Sequence, residues 1–454
     1  MLSIEPTVEP TVAVVTLGCR VNQVDSEWLY QCARQQGYRQ AVDGDVLDLV
    51  VINTCSVTAE SDRQARQEIH RAVRNHPQAR VVVTGCYAER HRQALADIPG
   101  VTMVFGNQDK QKFPQLLHDL RPQHDLVVPL SPLLPWDWAS TLHERARAWL
   151  QVQNGCDERC TFCLIPQLRG PSRSEPPQSV LAQARRLLQS GYHELVLTGI
   201  NLGSYGRDLV PTMTLTDLIR DLLVDWPRHA RLRLSSIDPT DIDEPFIRLL
   251  ATEQRVCPHL HLSVQSGDDL ILKRMHRRYH RQQLLTIVAQ LRQARPDLLL
   301  GADLIVGFPG ETSAAFDNSC ALVEQAEIAL PHLFRYSDRP GTAAASFPQR
   351  SRVTADVMRQ RSGQLRAMGQ QVCTTVANRY IGRIARVLME SITTDSQGGV
   401  DFRGRSEWFL PVEGHTTTDR LSHQEIGAVR EALLCSWDAE KVLFIGKILE
   451  YGLS

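Results

Sequence analysis

No stretch of this 454-residue chain is apolar enough to cross a bilayer. The most apolar segment, LLLGADLIVGFPG near 298–310, carries Asp303 and ends in Pro-Gly, and a span needs about 20 apolar residues. The opening MLSIEPTVEP is acidic and holds no apolar signal core. The expectation is a cytoplasmic protein with no membrane partner. Net charge is almost absent too: 50 Lys and Arg face 51 Asp and Glu. A chain that works by bulk positive charge is excluded, so any basic surface must be local. No repeat of solenoid period is present. With 43% hydrophobic and 22% charged residues, a disordered chain, a collagen-like repeat and a small disulfide scaffold are excluded, and the length suggests about three domains. What the chain does have is cysteine, eleven of them. A reducing compartment disfavours disulfides, so clustered cysteines there point to metal or redox chemistry.

The pattern along the chain predicts an α/β protein in three parts. TVAVVTLGC (11–19), LDLVVINTC (47–55) and ARVVVTGC (79–86) read as short strands ending in small polar turns. Helical stretches lie between them at 26–37 and 60–75. This alternation predicts a parallel sheet with helices on both faces, within a first domain 1–125. A Pro-rich linker follows at 126–141. A second alternation then places strands at 148–153, 194–199, 230–236, 259–265, 300–307 and 332–336. Six such units predict a partial (β/α)6 barrel, domain 142–375, rather than a full eight-unit one. The segment 353–380 reads as a connecting helix. Residues 376–454 are strand-like with turns between, a small antiparallel β module.

The strongest chemical signal is GCDERCTFC, which spaces Cys156, Cys160 and Cys163 as C-x3-C-x2-C. Three thiolates in one loop do not complete a four-ligand structural zinc site. They suit three irons of a 4Fe–4S cube with the fourth iron open. A zinc site completed by a distant Cys or His is the alternative. The loop follows the first barrel strand, at the mouth where barrel active sites form. Cys19, Cys55 and Cys86 each end a strand of the first domain, and such ends face one crevice in an open parallel sheet. Gly18 and Gly85 beside them allow close backbone approach. Singly, each is as well explained as a small buried hydrophobe; three at one topological position suggest a second Fe–S site. Cys32, Cys257, Cys320, Cys373 and Cys435 show no grouping and read as packing residues.

Together these segments resemble the radical-SAM methylthiotransferase family. The match runs from TLGCRVN at 16 to about 380 and includes VQNGCDERCTFCLIPQLRG (152–170), LTGINLGSYG (197–206), PHLHLSVQSGDDLILKRMHRRY (258–279), DLIVGFPGET (303–312) and FRYSDRPGTAAASF (334–347). The resemblance implies a flavodoxin-like first domain, a radical-SAM core and a C-terminal module of the TRAM type. It implies two 4Fe–4S clusters, one on Cys156, Cys160 and Cys163 and an auxiliary one on Cys19, Cys55 and Cys86. The first would cleave S-adenosylmethionine to a 5′-deoxyadenosyl radical. The second would present a sulfur that another S-adenosylmethionine methylates. The radical would take a hydrogen from the substrate, and the carbon radical would capture the methylthio group.

Position at strand ends suggests Thr198, Gly199 and Asn201 for the amino group of S-adenosylmethionine, and Ser235, Ser236, Gln265 and the backbone around Gly307 for its adenosine and ribose. Each is equally compatible with an ordinary strand–helix turn. Asp238 and Asp303 read as buried polar anchors. The family's substrates are tRNA adenosines beside the anticodon and an aspartate of a ribosomal protein. The run Lys273, Arg274, Met275, His276, Arg277, Arg278, Tyr279 favours the anticodon loop of tRNA, with cations for phosphates and Tyr279 for base stacking; a solvated helix end is the plainer reading. RGPSRSEPP (169–177), RLRLSSIDPTDID (231–243) and CPHLHLSVQSG (257–267) resemble the branch acting on N6-threonylcarbamoyladenosine, position 37 of the tRNA, making its 2-methylthio derivative. Arg169 and Arg173 are candidates for the threonyl carboxylate. Isopentenyladenosine in tRNA and the ribosomal-protein aspartate are the alternative substrates. A non-catalytic Fe–S protein for RNA binding or electron transfer is the alternative from another class. An electron donor such as a flavodoxin or ferredoxin is an expected partner. The C-terminal module departs from expectation, with nine Lys/Arg against eleven Asp/Glu. RNA binding by it would need a stripe of Arg379, Arg383, Arg386, Arg403 and Arg405 near Phe402, Trp408 and Phe409.

Overall fold

The β-branched runs TVAVVT, LVVINT and RVVVTG form strands because their side chains fit a pleated surface buried on both faces. The computed structural model describes residues 9–119, 146–394, 398–416 and 421–449; the linker expected at 126–141 lies outside them. In the first domain Thr11–Thr16, Leu49–Thr54, Arg80–Gly85 and Val101–Val104, with the two-residue strand Arg39–Gln40, make one parallel sheet. Its strand order is 2-1-3-4-5, the doubly wound, flavodoxin-like arrangement. Leu49–Thr54 is central and buried throughout. Helix Arg20–Gln35 packs Trp28 and Leu29 against one face, and helix Ala59–Asn75 packs Ala65 and Ile69 against the other. The first helix starts six residues before the expected 26. Its cap, Cys19, makes no side-chain capping bond, so the usual start signal is missing from the sequence.

The second part has six main parallel strands: Ala148–Gln151, Glu194–Thr198, Arg231–Leu234, His259–Gln265, Leu299–Val306 and Ile328–Arg335. The first three form one hydrogen-bonded sheet. The last three form another, joined by the two-residue strand Ser236–Ile237. The curved wall encloses a core that includes Leu150, Leu197, Leu232, Leu262 and Leu304. Helix Ala355–Asn378 runs along the last strand, where Gly369 leaves room for Pro331; a Cβ there would lie 2.3 Å from the Pro331 ring.

The C-terminal module is a closed five-stranded barrel of Ile384–Thr394, Val400–Arg405, Pro411–Thr416, Val429–Asp438 and Leu443–Ile448. Its pairings are antiparallel except that of Pro411–Thr416 with Leu443–Ile448. Sequence pattern passes over Val429–Asp438, since EALL favours helix locally and only pairing on two sides makes it a strand. The module closes the strand-start end of the large barrel. Arg231 and Arg233, 1% exposed, donate to the carbonyls of Arg386, Arg405, Ser406 and Glu407, and both pair with the fully buried Glu194. Phe409 stacks on His259 at 5.1 Å, under the guanidiniums of Arg147, Arg233 and Arg405. Most of the arginine stripe considered for RNA is paired within the protein, and Arg383 lies over the Tyr380 ring. Arg379 pairs with Glu327, Arg403 with Glu413 and Arg405 with Glu390, Arg386 donates to the carbonyl of His229, and Phe402 and Trp408 are buried.

Candidate active site

Each of the two cysteine trios is assembled by strand ends. Cys19 caps the helix after the first strand, Cys55 follows Leu49–Thr54, and Cys86 opens the helix Cys86–Arg90 after Arg80–Gly85. The charges of Cys19 and Cys86 both act on Cys55, so residues distant in sequence meet at one crevice. The glycines make this possible. Gly18 has φ +96° and Gly85 φ +98°; a Cβ on Gly18 would lie 2.5 Å from the Cys55 sulfur, and one on Gly85 would lie 2.4 Å from the Thr54 carbonyl. Gly85→Ala is therefore expected to cost about 2–3 kcal/mol and to lower iron loading at this trio while the other keeps its own, as read by iron content after anaerobic reconstitution. The second trio lies on the loop between Ala148–Gln151 and helix Ile165–Arg169. Gly155 enters it at φ +74°, with the Pro171 carbonyl 1.9 Å from where a Cβ would stand.

The donor set fits iron–sulfur clusters. Burial pushes the thiols of Cys55 and Cys156 up to about 11 and that of Cys163 up to about 12; bound metal deprotonates such thiols outright. N–H donors aim at the sulfurs: Arg277 at Cys160 (3.5 Å), the Ile165 amide at Cys163 (3.4 Å) and Asn107 at Cys86 (3.5 Å). Such bonds tune cluster potentials. Among the described residues, neither trio has all its sulfurs within 4.8 Å of one another, as ligands of a single ion would be; only His261, Asp303 and His332 gather so closely. Those three are hydrogen-bonded. Asp303 Oδ1 meets His261 Nε2 at 3.0 Å and His332 Nδ1 at 3.1 Å. Burial opposes ionisation of Asp303, but the two histidines outweigh it and hold the carboxyl below its usual range.

The first trio lies against the barrel loop that carries the second. Cys86 packs on Leu164 and Leu168 beside the barrel loop. A cavity is lined by Thr58 near Cys55, by Phe162 beside Cys163, and by Gln265, Asp303 and Tyr336. Buried ion pairs join the two domains, Arg339 with Asp62 (2.7 Å) beside this cavity and Arg169 with Asp25 (3.0 Å), and Lys110 of the first domain supports Asp25 at 2.5 Å. Burial would raise the Asp25 carboxyl, yet Lys110 and Arg169 bring it below its usual value.

Several expected residues stand where their assigned contacts need them free, and others do not. Arg169 is a correction: it is 2% exposed and its two terminal nitrogens are engaged by Asp25, Asn22 and Asn154, so it serves the contact between the domains rather than an open substrate site. Arg173 is exposed but borders a groove with Glu175 and Lys110, not the cavity between the trios. Arg277 and Tyr279 are corrections as well. Arg277 turns inward to Asp238, the Ser263 carbonyl and Cys160, while Tyr279, 3% exposed, donates to the Val264 carbonyl and has no face for a base. Lys273, Arg274 and Arg278 are exposed, Arg278 beside Glu158 at 2.7 Å. Thr198 is buried and its hydroxyl donates to the Val196 carbonyl, and the Gly307 amide donates to Glu311. Gly199, Asn201 and Ser236 are half-buried at their strand ends. Ser235 has a buried hydroxyl with no protein partner, and Gln265 is held at φ +70° on the cavity wall; such strain is a feature of functional sites.

Sequence reasoning missed Gln153. It is fully buried; its amide nitrogen holds the Gly155 carbonyl at 2.8 Å, and its oxygen accepts from the Asn201 amide at 2.9 Å. It missed Arg339 and Glu194 too. A charge inside a strand-like or loop segment was the available signal, because such a charge needs a buried partner.

Residues 11–106 match the family described as Uncharacterized protein family UPF0004, and residues 150–323 match the Radical SAM superfamily. The chain is 38% identical over 384 residues to the threonylcarbamoyladenosine tRNA methylthiotransferase of Rickettsia prowazekii, covering 83% of this chain and 87% of that one. It is 35% identical over 383 residues to the tRNA-2-methylthio-N(6)-dimethylallyladenosine synthase of Parafrankia, covering 83% and 77%. Among solved structures, the radical S-adenosylmethionine methyltransferase TsrM of Kitasatospora setae shares the fold, with a TM-score of 0.54, 16% identity and 74% of each chain covered. With two cysteine trios at strand ends and relatives of this likeness over most of its length, the chain belongs to the radical-SAM methylthiotransferase family.

Proposed function

We propose that this enzyme converts N6-threonylcarbamoyladenosine at position 37 of tRNA to its 2-methylthio derivative. One observation carries the reading: this chain, with its two cysteine trios, is 38% identical over 384 residues to a relative named for that substrate. When bound, a 4Fe–4S cluster with S-adenosylmethionine supplies a carbon-centred radical able to take hydrogen from an unactivated C–H bond, and an auxiliary cluster supplies the methylthio sulfur.

The chain's own residues do the rest. Cys156, Cys160 and Cys163 would hold the radical-generating cluster, and Cys19, Cys55 and Cys86 the auxiliary one. Arg277, between Asp238 and Cys160, fixes the cluster loop against the strand His259–Gln265. Gln153 ties that loop to Asn201, so the segment 199–201 and the cluster loop keep one geometry. Ser235, Ser236, Gln265, Gly199 and Asn201 line the approach for S-adenosylmethionine. Arg339 and Asp62 keep the first domain closed over the barrel mouth and exclude water from it. Lys273, Arg274 and Arg278 are exposed cations able to meet tRNA phosphates, Arg278 by leaving Glu158, and such contacts position the substrate without reading its sequence. A reduced flavodoxin or ferredoxin in the cytoplasm would supply the electron.

The test is an anaerobic assay of the reconstituted enzyme on three substrates: an anticodon stem–loop with threonylcarbamoyladenosine, one with isopentenyladenosine, and the ribosomal protein. Methylthiolation of the first alone is expected. Preference for either of the others contradicts the substrate reading, and two clusters with no 5′-deoxyadenosine formed contradict the enzyme reading.

A further inference from the structure

Arg20 directly follows Cys19 and begins the helix Arg20–Gln35. Its side chain is half-buried, and it has no ion pair or side-chain hydrogen bond with any described residue. Its acidic neighbours are already engaged. Asp303 is held by His261 and His332, and Glu194 by Arg231, Arg233 and Arg147. A guanidinium that lines a cavity with no partner of its own is available to an anion that arrives from outside.

The space Arg20 borders supports this. It is a second cavity, running from Arg20 past His261 and His332 to Arg366 and to Arg405 and Lys441 of the C-terminal module. No Asp or Glu lines it, and its remaining wall is largely apolar, with Leu330, Pro331 and Val442. Asp303, on the wall of the cavity between the cysteine trios, carries the hydrogen-bonded histidines that line this one. The two spaces therefore lie on either side of this hydrogen-bonded cluster. An anionic substituent with a short apolar body fits such a space.

We propose that Arg20 is a specificity-determining residue of the reaction, its guanidinium receiving the carboxylate of the threonylcarbamoyl substituent. The inference rests on the substrate reading above. Isopentenyl groups carry no charge and give Arg20 no partner. Since Arg20 and Cys19 are chain neighbours, about 3.8 Å apart at Cα, a carboxylate held by one brings its adenine beside the sulfur-bearing trio that includes the other. Arg169, the cation that sequence suggests for this role, serves the domain seam instead.

The experiment compares reconstituted holoenzyme with its Arg20→Gln and Arg20→Lys variants. Two stem–loops serve as probes, one with threonylcarbamoyladenosine and one with its carboxyl methyl ester. Wild type is expected to favour the acid by about 30- to 100-fold in kcat/KM, the usual loss when a desolvated charge pair is broken. Arg20→Gln should lose that factor on the acid and treat acid and ester alike, the signature of a direct coupling. Arg20→Lys should recover part of the preference. Iron content and uncoupled 5′-deoxyadenosine formation should match wild type in both variants. An Arg20→Gln enzyme that keeps the acid preference overturns the proposal, and so does one that loses iron, because Arg20 then serves the cluster. Wild type inert on the acid but active on an isopentenyl stem–loop overturns the substrate reading and this inference together, and that result is distinct because it appears before any substitution.

Discussion

Alanine at Cys156, Cys160 or Cys163 is expected to abolish 5′-deoxyadenosine formation, while alanine at Cys19, Cys55 or Cys86 leaves it and abolishes sulfur insertion. The division follows from where the trios stand. The first is carried by a loop of the barrel, whose strand ends offer the approach for S-adenosylmethionine; the second belongs to a separate doubly wound sheet. Loss of a ligand should lower the dependent activity more than about 100-fold, since even outer-shell partners of metal sites are worth 10- to 100-fold. Chromatographic assay of 5′-deoxyadenosine and of methylthiolated nucleoside in the same reaction separates the two. Identical behaviour of both sets would mean that the roles are not divided as stated. Cys86 packs against Leu164 and Leu168, so its variant needs circular dichroism beside the assay, whereas Cys19 is exposed and its replacement tests chemistry with little effect on packing.

Glu194→Gln is expected to be the most damaging single change to stability away from the clusters. Glu194 is fully buried and pairs with Arg231 (2.6 Å) and Arg233 (3.0 Å), each 1% exposed, with Arg147 nearby at 3.5 Å. Burial alone would raise its carboxyl, but the three guanidiniums outweigh that and hold it well below the ordinary Glu value. Gln keeps the shape and removes the charge, leaving buried cations uncompensated, at a cost of about 3–5 kcal/mol. The arginines also carry the carbonyls of the C-terminal module, so that module should loosen first, as protease sensitivity near 386–407 would report. The pH dependence has a definite sign. A carboxyl depressed on folding contributes stability that is present above its unfolded value, near 4.3, and is lost as pH falls through its folded one. The gap between wild type and Glu194→Gln should therefore be full at neutral pH and shrink only in strong acid. A variant as stable as wild type at pH 7 would show that the quartet is not what holds the module.

Much of the architecture is legible in the sequence because it rests on local signals. Apolar runs ending in small polar turns mark the three main strands of the first sheet and the six of the barrel, and C-x3-C-x2-C marks the cluster loop. Less visible are the elements made by tertiary partners. Helix Arg20–Gln35 starts without a capping side chain, Val101–Val104 exists because it pairs with Arg80–Gly85, and Val429–Asp438 because two neighbours claim its edges. At the site, cysteines announce themselves by spacing and by position at strand ends. Cations do not, since a guanidinium on tRNA and one tied to a distant carboxylate look alike in sequence. Arg277 and Tyr279, in the densest basic run, turn inward, and Arg169 meets Asp25 across 144 residues. Arg20, unremarkable as a letter, faces a cavity with no ion pair of its own among the described residues.

Nucleoside mass spectrometry of total tRNA from cells with and without this gene tests the central claim most directly. The account predicts that 2-methylthio-N6-threonylcarbamoyladenosine disappears in its absence while N6-threonylcarbamoyladenosine accumulates, and that the active gene restores the product but its Cys160→Ala form does not. An unchanged level of that nucleoside, with loss of the isopentenyl counterpart or of neither, would contradict it.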